Sequence, residues 1–417
     1  MQFGSIGGIK RYLNNLGFSP GGDLAGTATE QIVAGLQGHP LAPDIPMPGD
    51  AIMWNGSTYA PSTIPHEPSI YNVKTYGAKG DGVSNDSPAI QTAMDTLTAN
   101  WRTGTSWARL YFPPGVYRLY EPVEFNGDTY AFLKLEIVGS GKSNTILHQK
   151  YYSTKDLLHF NNVGTAYIAC LTIRDLQFGP CVQALKIDNF TYSNVIDCSF
   201  KSNGWDKAHN SVMLTGNTSG VFFKGCWWYH QRGNNLRVEN GGVTMAECLF
   251  GEDSGAIWVR GGVNFIGCAW GGRNYDRINS TGYMNMGRAS VIVEGGSNML
   301  CMGCTLGTIK DVFCTADMPS ALNIIGCSAA LYGGTLIKTR RIFGNHSVCL
   351  ANNHYIWARE GECALWTTAD GYPINNSHCV GNTLRVSDSD NASMTVDDSL
   401  LDPANRNVVE NNIIRSL

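Results

Sequence analysis

Val263-Asn264-Phe265-Ile266-Gly267-Cys268-Ala269-Trp270 is one copy of a unit that recurs along most of this 417-residue chain. Read with a period of two, Val263 and Phe265 face one way. After the short bend at Ile266-Gly267, Cys268 and Trp270 face that way again. The unit returns at 171–178, 195–200, 223–228, 245–250, 301–306, 324–329, 350–355, 379–384 and 409–414. Aligned, the bend reads Asp175, Asp197, Gly225, Glu247, Gly267, Gly303, Gly326, Asn352, Gly381, Asn411. Nine of these ten are Gly, Asn or Asp, the residues that enter the left-handed region at least cost. The next position reads Leu176, then six cysteines, then three asparagines. A repeat of 20 to 36 residues with one inward stack per copy predicts an all-β solenoid.

Composition agrees with that reading. Forty-eight glycines and 15% charged residues suit a turn-rich all-β chain. A net charge of −4 gives nucleic acid or an anionic membrane no purchase. No apolar run approaches the length of a membrane span, so no membrane insertion is expected. The N-terminus shows no basic region followed by an apolar segment, so no signal peptide is expected either. Cys198, Cys226, Cys248, Cys268, Cys304 and Cys327 fall at the inward position and read as small reduced core residues. Cys301-Met302-Gly303-Cys304 has metal-ligand spacing, but the bend falls inside it and no second such pair follows. The expectation is therefore no metal and no cofactor.

Residues 1–65 do not follow the repeat, and their glycine-rich stretches are too short to build a sizeable core alone. They read as an attachment or trimerisation segment that winds with other copies or docks on a partner. Residues 66–417 form the solenoid. A capping helix is expected at about 87–98, with Asp86 or Ser87 as N-cap, Pro88 in the first turn, and Ala89, Ile90, Ala93, Met94 and Leu97 as its apolar stripe. Arg109-Leu110-Tyr111-Phe112-Pro113-Pro114-Gly115-Val116-Tyr117 reads as strand, turn, strand. Gly139-Ser140-Gly141-Lys142-Ser143 mimics the end of a phosphate-binding loop. The required first glycine would fall at Glu136, and a strand rather than a helix follows.

The stretch from Asn72 to Asp86, with Leu110 to Tyr117, resembles the opening motif of the pectate-lyase-3-type right-handed parallel β-helix family, found in bacteriophage tailspike and tail fibre proteins. The run from Gly22 through His39-Pro40 to Trp54-Asn55-Gly56 resembles linker segments of phage tail fibres. The resemblance implies a right-handed single-stranded parallel β-helix, a homotrimer on a virion, and binding to bacterial surface polysaccharide, with cleavage in some members. It also implies other virion proteins as partners of the N-terminal segment, and synthesis in the host cytoplasm. The signatures of secreted pectinases are absent.

The coils differ mainly in the loop after the Cys-x-aromatic strand, and variable loops on a rigid scaffold concentrate function. Stacked on one edge, these loops bring together the carboxylates Asp206, Glu252, Asp253 and Asp276 as catalytic candidates. Trp205, Trp227, Tyr229, His230, Arg232, Arg273, Tyr275 and Arg277 surround them as candidate sugar-binding residues. Carboxylates one or two coils apart span ~5 to ~10 Å, which suits either retaining or inverting hydrolysis. A lyase would instead use a basic residue such as His209, His230 or Arg232 to remove a proton α to a uronate carboxyl. Glu239, Arg260 and Glu294, with Trp258 beside them, form a second set whose alternating signs suit a surface charge ladder. Two alternatives to a polysaccharide-binding tailspike stay open: a non-enzymatic virion appendage or adaptor, and a cellular polysaccharide hydrolase or lyase.

Overall fold

The computed structural model describes residues 23–27, 30–44, 50–63, 69–101, 107–127, 133–149, 155–162, 169–201, 210–231, 233–251, 255–271, 289–309, 311–317, 321–339, 347–354, 356–368, 377–387, 392–395 and 407–416. The chain divides into two units, residues 1–69 and 70–417. In the first, Leu24–Thr27 pairs antiparallel with Glu30–Val33, and Asp50–Trp54 with Tyr59–Thr63. His39, Trp54 and Tyr59 form a small aromatic cluster there, with the His39 and Trp54 ring centroids 4.5 Å apart.

In the second unit the described strands form three long parallel sheets. Sheet I holds 13 strands from Ser69–Asn72 to Val408–Glu410, and sheet II holds 13 from Asp81–Asn85 to Ile413–Ser416. Sheet III holds 11, from Val123–Gly127 to Ser393–Thr395. Each strand pairs with its counterpart one coil on, so the chain is a parallel β-helix.

The bend joins sheet I to sheet II. All ten bend residues have positive φ, between 49° and 67°, including Glu247 at 55°. The turn therefore demands the left-handed conformation even where the side chain resists it. Sheet I's ladder continues through the bend, since the Gly267 N–H donates to the Met302 carbonyl at 3.0 Å and the Asn352 N–H to that of Val380 at 2.9 Å.

The next residue points its N–H into the core, where a side chain of the following coil accepts it. Cys304 Sγ accepts the Cys268 N–H at 3.3 Å, and Cys327 Sγ accepts the Cys304 N–H at 3.4 Å. Asn353 Oδ1 then accepts the Cys327 N–H at 2.9 Å and starts an amide ladder through Asn382 to Asn412. Beside this column Phe178, Phe200, Trp228, Phe250 and Trp270 stack coil over coil, with successive centroids 4.8 to 5.3 Å apart. Offset stacking at this spacing adds to the area these rings bury.

Helix α1 (Ser87–Trp101) closes the first coils and buries Ile90, Ala93, Met94 and Leu97. Asp86 supplies the first helical acceptor, its carbonyl taking the Ile90 N–H at 3.0 Å. Its carboxylate turns away to accept the N–H groups of Lys79 and Gly80 at 2.7 and 3.2 Å. Ser87 Oγ accepts the Tyr120 and Glu121 N–H groups at 2.9 and 3.1 Å, tying the helix start to the second coil. The helix packs against Val123–Gly127, the strand that ends sheet III on this side, and so covers that edge.

Candidate functional site

Each loop singled out by the sequence leads from a sheet II strand into a sheet III strand, as Trp227–Tyr229 leads into Asn234–Val238. Asp206, Glu252, Asp253, Asp276, Trp205, Arg232, Arg273, Tyr275 and Arg277 lie outside the described residues. Trp227, Tyr229 and His230 are described and adjacent. Trp227 and Tyr229 alternate with the core residue Trp228, and Trp227 is 45% exposed. Lys142 Nζ lies 4.2 Å from the Trp227 ring centroid and donates to the Gly225 carbonyl at 3.4 Å. Lys201 Nζ sits 5.6 Å from the Tyr229 ring centroid, and the Tyr229 and His230 rings meet edge-on at 5.7 Å. Burial pushes the Tyr229 phenol above its usual range. His230 holds a φ of 54°, marking the sharp turn from sheet II into the loop. The pseudo-phosphate loop thus finds a different use: its Lys142 covers an outward tryptophan.

Across the corner, the outer face of sheet III carries a charged zipper. Arg260 Nη1 lies 3.8 Å from Glu239, and Arg260 Nε lies 3.5 Å from Glu294. Arg237 bonds Glu239 from its own strand. Trp258 lies between the two arginines, whose Cζ atoms are 4.2 and 4.8 Å from its ring centroid. The second set read from the sequence is therefore joined by ion pairs, with Arg237 as the member it missed.

Two coils lower, His159 Nε2 and Asp188 Oδ2 are 2.6 Å apart, and Lys186 Nζ is 3.3 Å from the same oxygen. Burial pushes the Asp188 carboxyl up, but the hydrogen bond from His159 and the charge of Lys186 outweigh it, and its pKa falls below the usual range. Glu124 is the cross-strand partner of His159 and lines a cleft of about 480 Å³ against α1 with Gln91, Asp95, Thr98 and Asn126. Gln91 Nε2 donates to the Glu124 carbonyl at 2.9 Å and its Oε1 accepts the Glu124 N–H at 2.8 Å, pinning helix to strand. His159, Asp188 and Glu124 were not picked out from the sequence. The available signal was their outward parity on the strands between the bend units.

The cysteine cluster has a different character. The sulfurs of Cys301, Cys304 and Cys327 lie within 4.8 Å of one another, all buried. Cys304 and Cys327 already accept backbone N–H groups, and Cys327 Sγ is 3.4 Å from the Cys301 carbonyl. Away from this cluster, burial raises the Cys198 and Cys314 thiols to about 12, so those two sulfurs stay protonated.

A family model described as rhamnogalacturonase A/epimerase, pectate lyase-like, matches residues 70–271. Mannuronan C5-epimerase AlgE1 of Azotobacter vinelandii is 37% identical over 83 residues, which are 19% of this chain and 6% of that protein. A probable glucan endo-1,3-beta-glucosidase of Arthroderma benhamiae is 25% identical over 181 residues, 36% of this chain and 21% of that one. The chain thus spans a small part of the length of these curated relatives. Among solved structures, ORF18 of Geobacillus virus E2 aligns at a TM-score of 0.39 and 13% identity, covering 84% of this chain and 61% of that one. The A-module of AlgE6 from Azotobacter vinelandii aligns at 0.48 and 12% identity, covering 83% and 99%. With its three parallel sheets and its helical cap the chain is a parallel β-helix, and residues 70–271 of it are similar to the pectate-lyase-like family model.

Proposed function

We propose that this protein is a tailspike- or tail-fibre-type component that binds bacterial surface polysaccharide along the corner between sheets II and III. The observation that carries the reading is the placement of the exposed Trp227, the half-buried Tyr229 and a hydrogen-bonding charged face on the two sides of the same set of loops. Sugars offer an apolar face for stacking and hydroxyls for directed hydrogen bonds, and this corner supplies both partners. The match to polysaccharide-acting proteins supports the same substrate class.

The first unit supports attachment to other copies or other virion proteins. Ile32 and Val33 are 63% and 58% exposed, apolar surface that a unit this small leaves to a partner. The proposed assembly is a homotrimer with residues 1–65 as its attachment segment. Depolymerisation rests on Asp206, Glu252, Asp253 and Asp276, one carboxyl protonating the leaving oxygen and another activating water or attacking the sugar. A non-enzymatic appendage is the second reading, favoured by one observation: Asp188, Glu239 and Glu294 are neutralised by basic partners.

The test is incubation of the full chain with purified capsular and O-antigen glycans, followed by sizing of the products. Shortened chains with the wild type, and intact chains with Glu252→Gln or Asp276→Asn, support hydrolysis at the loops. Binding that Trp227→Ala abolishes, with chain length unchanged throughout, supports recognition alone. No binding to any glycan of the panel sinks the proposal.

A further inference from the structure

We propose that the outer face of sheet I, from Gly242–Ala246 to His378–Val380, is the surface on which a second copy of this chain packs. The proposal rests on the multi-copy reading above and names the face it uses. Ala246, Ile266, Met302, Ile325, Ala351 and Val380 are cross-strand partners in succession and form one outward column. Ile266 is 38% and Met302 42% exposed, side chains that a solvated face seldom presents in line. The adjacent outward column, from Thr244 to His378, contains no Lys, Arg, Asp or Glu, and neither do the strand starts from Gly242 to Ser347. The same sheet is charged on either side of this patch. Lys224 stands on the coil below and Glu410 on the coil above, and Arg109, Lys134 and Glu136 face out near the cap.

Six strands ~4.8 Å apart, five of them of five residues and the last of three, at ~3.3 Å per residue, cover on the order of 400 Å². Its apolar column, from Ala246 to Val380, flanked by uncharged polar side chains, is the kind of surface that a partner covers. Gly242 and Gly262 have open space where a Cβ would stand, so a neighbouring chain can approach the sheet closely there.

Two arguments select a second copy as the occupant. The patch is ruled at the coil spacing, and another copy carries rows at the same interval, so it can meet every row along the patch. Each copy carries a net charge of −4, so copies repel through their charged faces, and this patch lets them meet without desolvating a charge.

The chain carries its own reporters. Cys349 lies on the patch, half-buried, and Cys170 lies on the same sheet outside it, opposite Lys134. The experiment labels the full chain with a thiol reagent and locates the label by mass spectrometry, comparing wild type with the Ile266→Glu/Met302→Glu double variant. Light scattering should give a wild-type mass that is a multiple of 45.3 kDa. Cys349 should label about tenfold faster in the variant, with Cys170 and the circular dichroism spectrum unchanged, because both substitutions point to solvent in a lone copy. A multimer whose Cys349 labels equally fast in both proteins overturns this face while leaving the multi-copy reading standing. A monomeric wild type overturns both. If the double variant loses its fold, Asn264→Arg, on an already exposed side chain of the same patch, is read by the same criteria.

Discussion

The column behind the bend is built in two chemistries, and the contrast between them shows what the position requires. From Cys198 to Cys327 it is sulfur, and from Asn353 to Asn412 it is amide. Both serve an N–H that the left-handed bend turns into the core, where water is absent and an unmet donor costs about 1–3 kcal/mol. Sulfur meets it weakly, at 3.3 to 3.4 Å, while packing as a small apolar side chain. The amide meets it at 2.9 to 3.2 Å and adds a donor, Asn353, Asn382 and Asn412 each reaching back to a carbonyl at 3.0, 2.9 and 2.7 Å. Sulfur occupies the column beside the stacked rings from Phe200 to Trp270 and continues for two coils beyond them, at Cys304 and Cys327, where Leu306 and Ala329 take the ring position. The amides take over in the later coils, where Ile356 and Leu384 stand in place of those rings.

The sharpest way to break this contrast is Asn382→Leu. It removes the acceptor of the Asn353 N–H and Nδ2 groups and should cost about 3 kcal/mol or more in chemical denaturation, since two buried donors lose their partner. A loss no larger than that of Cys268→Ala would refute the distinction between the halves. Asn353→Cys should cost less, about 1–2 kcal/mol, because a weak acceptor remains while the donor to the Ile324 carbonyl is lost. The reciprocal Cys327→Asn should stay within about 1 kcal/mol of wild type if the position wants any fitting acceptor; collapse of the fold would show that the lower half needs sulfur's apolar surface. At the bend itself, Glu247→Gly should raise stability by roughly 0.5–1 kcal/mol, the strain of a non-glycine residue at a φ of 55°.

The smallest effect is expected at Asp188. The Asp188 carboxyl titrates below its unfolded value, so its contribution is present above the ordinary carboxylate range and is lost as pH falls through the folded pKa. Asp188→Asn should therefore flatten the melting temperature below pH ~4 relative to wild type, because the proton-linked loss is absent. Identical acid limbs in the two proteins would show that the contact with His159 and Lys186 does not stabilise the fold.

Much of the fold was legible because its controlling residues are local. Gly267, Asn352 and even Glu247 announce a bend by repetition, and parity around the bend sorts Trp228 into the core and Trp227 onto the surface. The charge ladder of Glu239, Arg260 and Glu294 was readable from alternating sign, since parallel strands in register bring like positions together. His159 with Asp188 was not. Their contact joins different strand positions, and side-chain length and rotamer, not register, close that gap. Lys142 over Trp227 was harder still, because their strands are coils apart and only the path of one long turn brings them together.

The sequence by itself determined the coil: a left-handed bend followed by an inward acceptor is a local instruction, and its repetition leaves few folds open. Only the tertiary structure decided what each outer face is. Sheet I's uncharged rows, sheet III's paired charges and the aromatic corner between sheets II and III are sums over residues 20 to 36 positions apart. Those sums exist only once the coils are stacked.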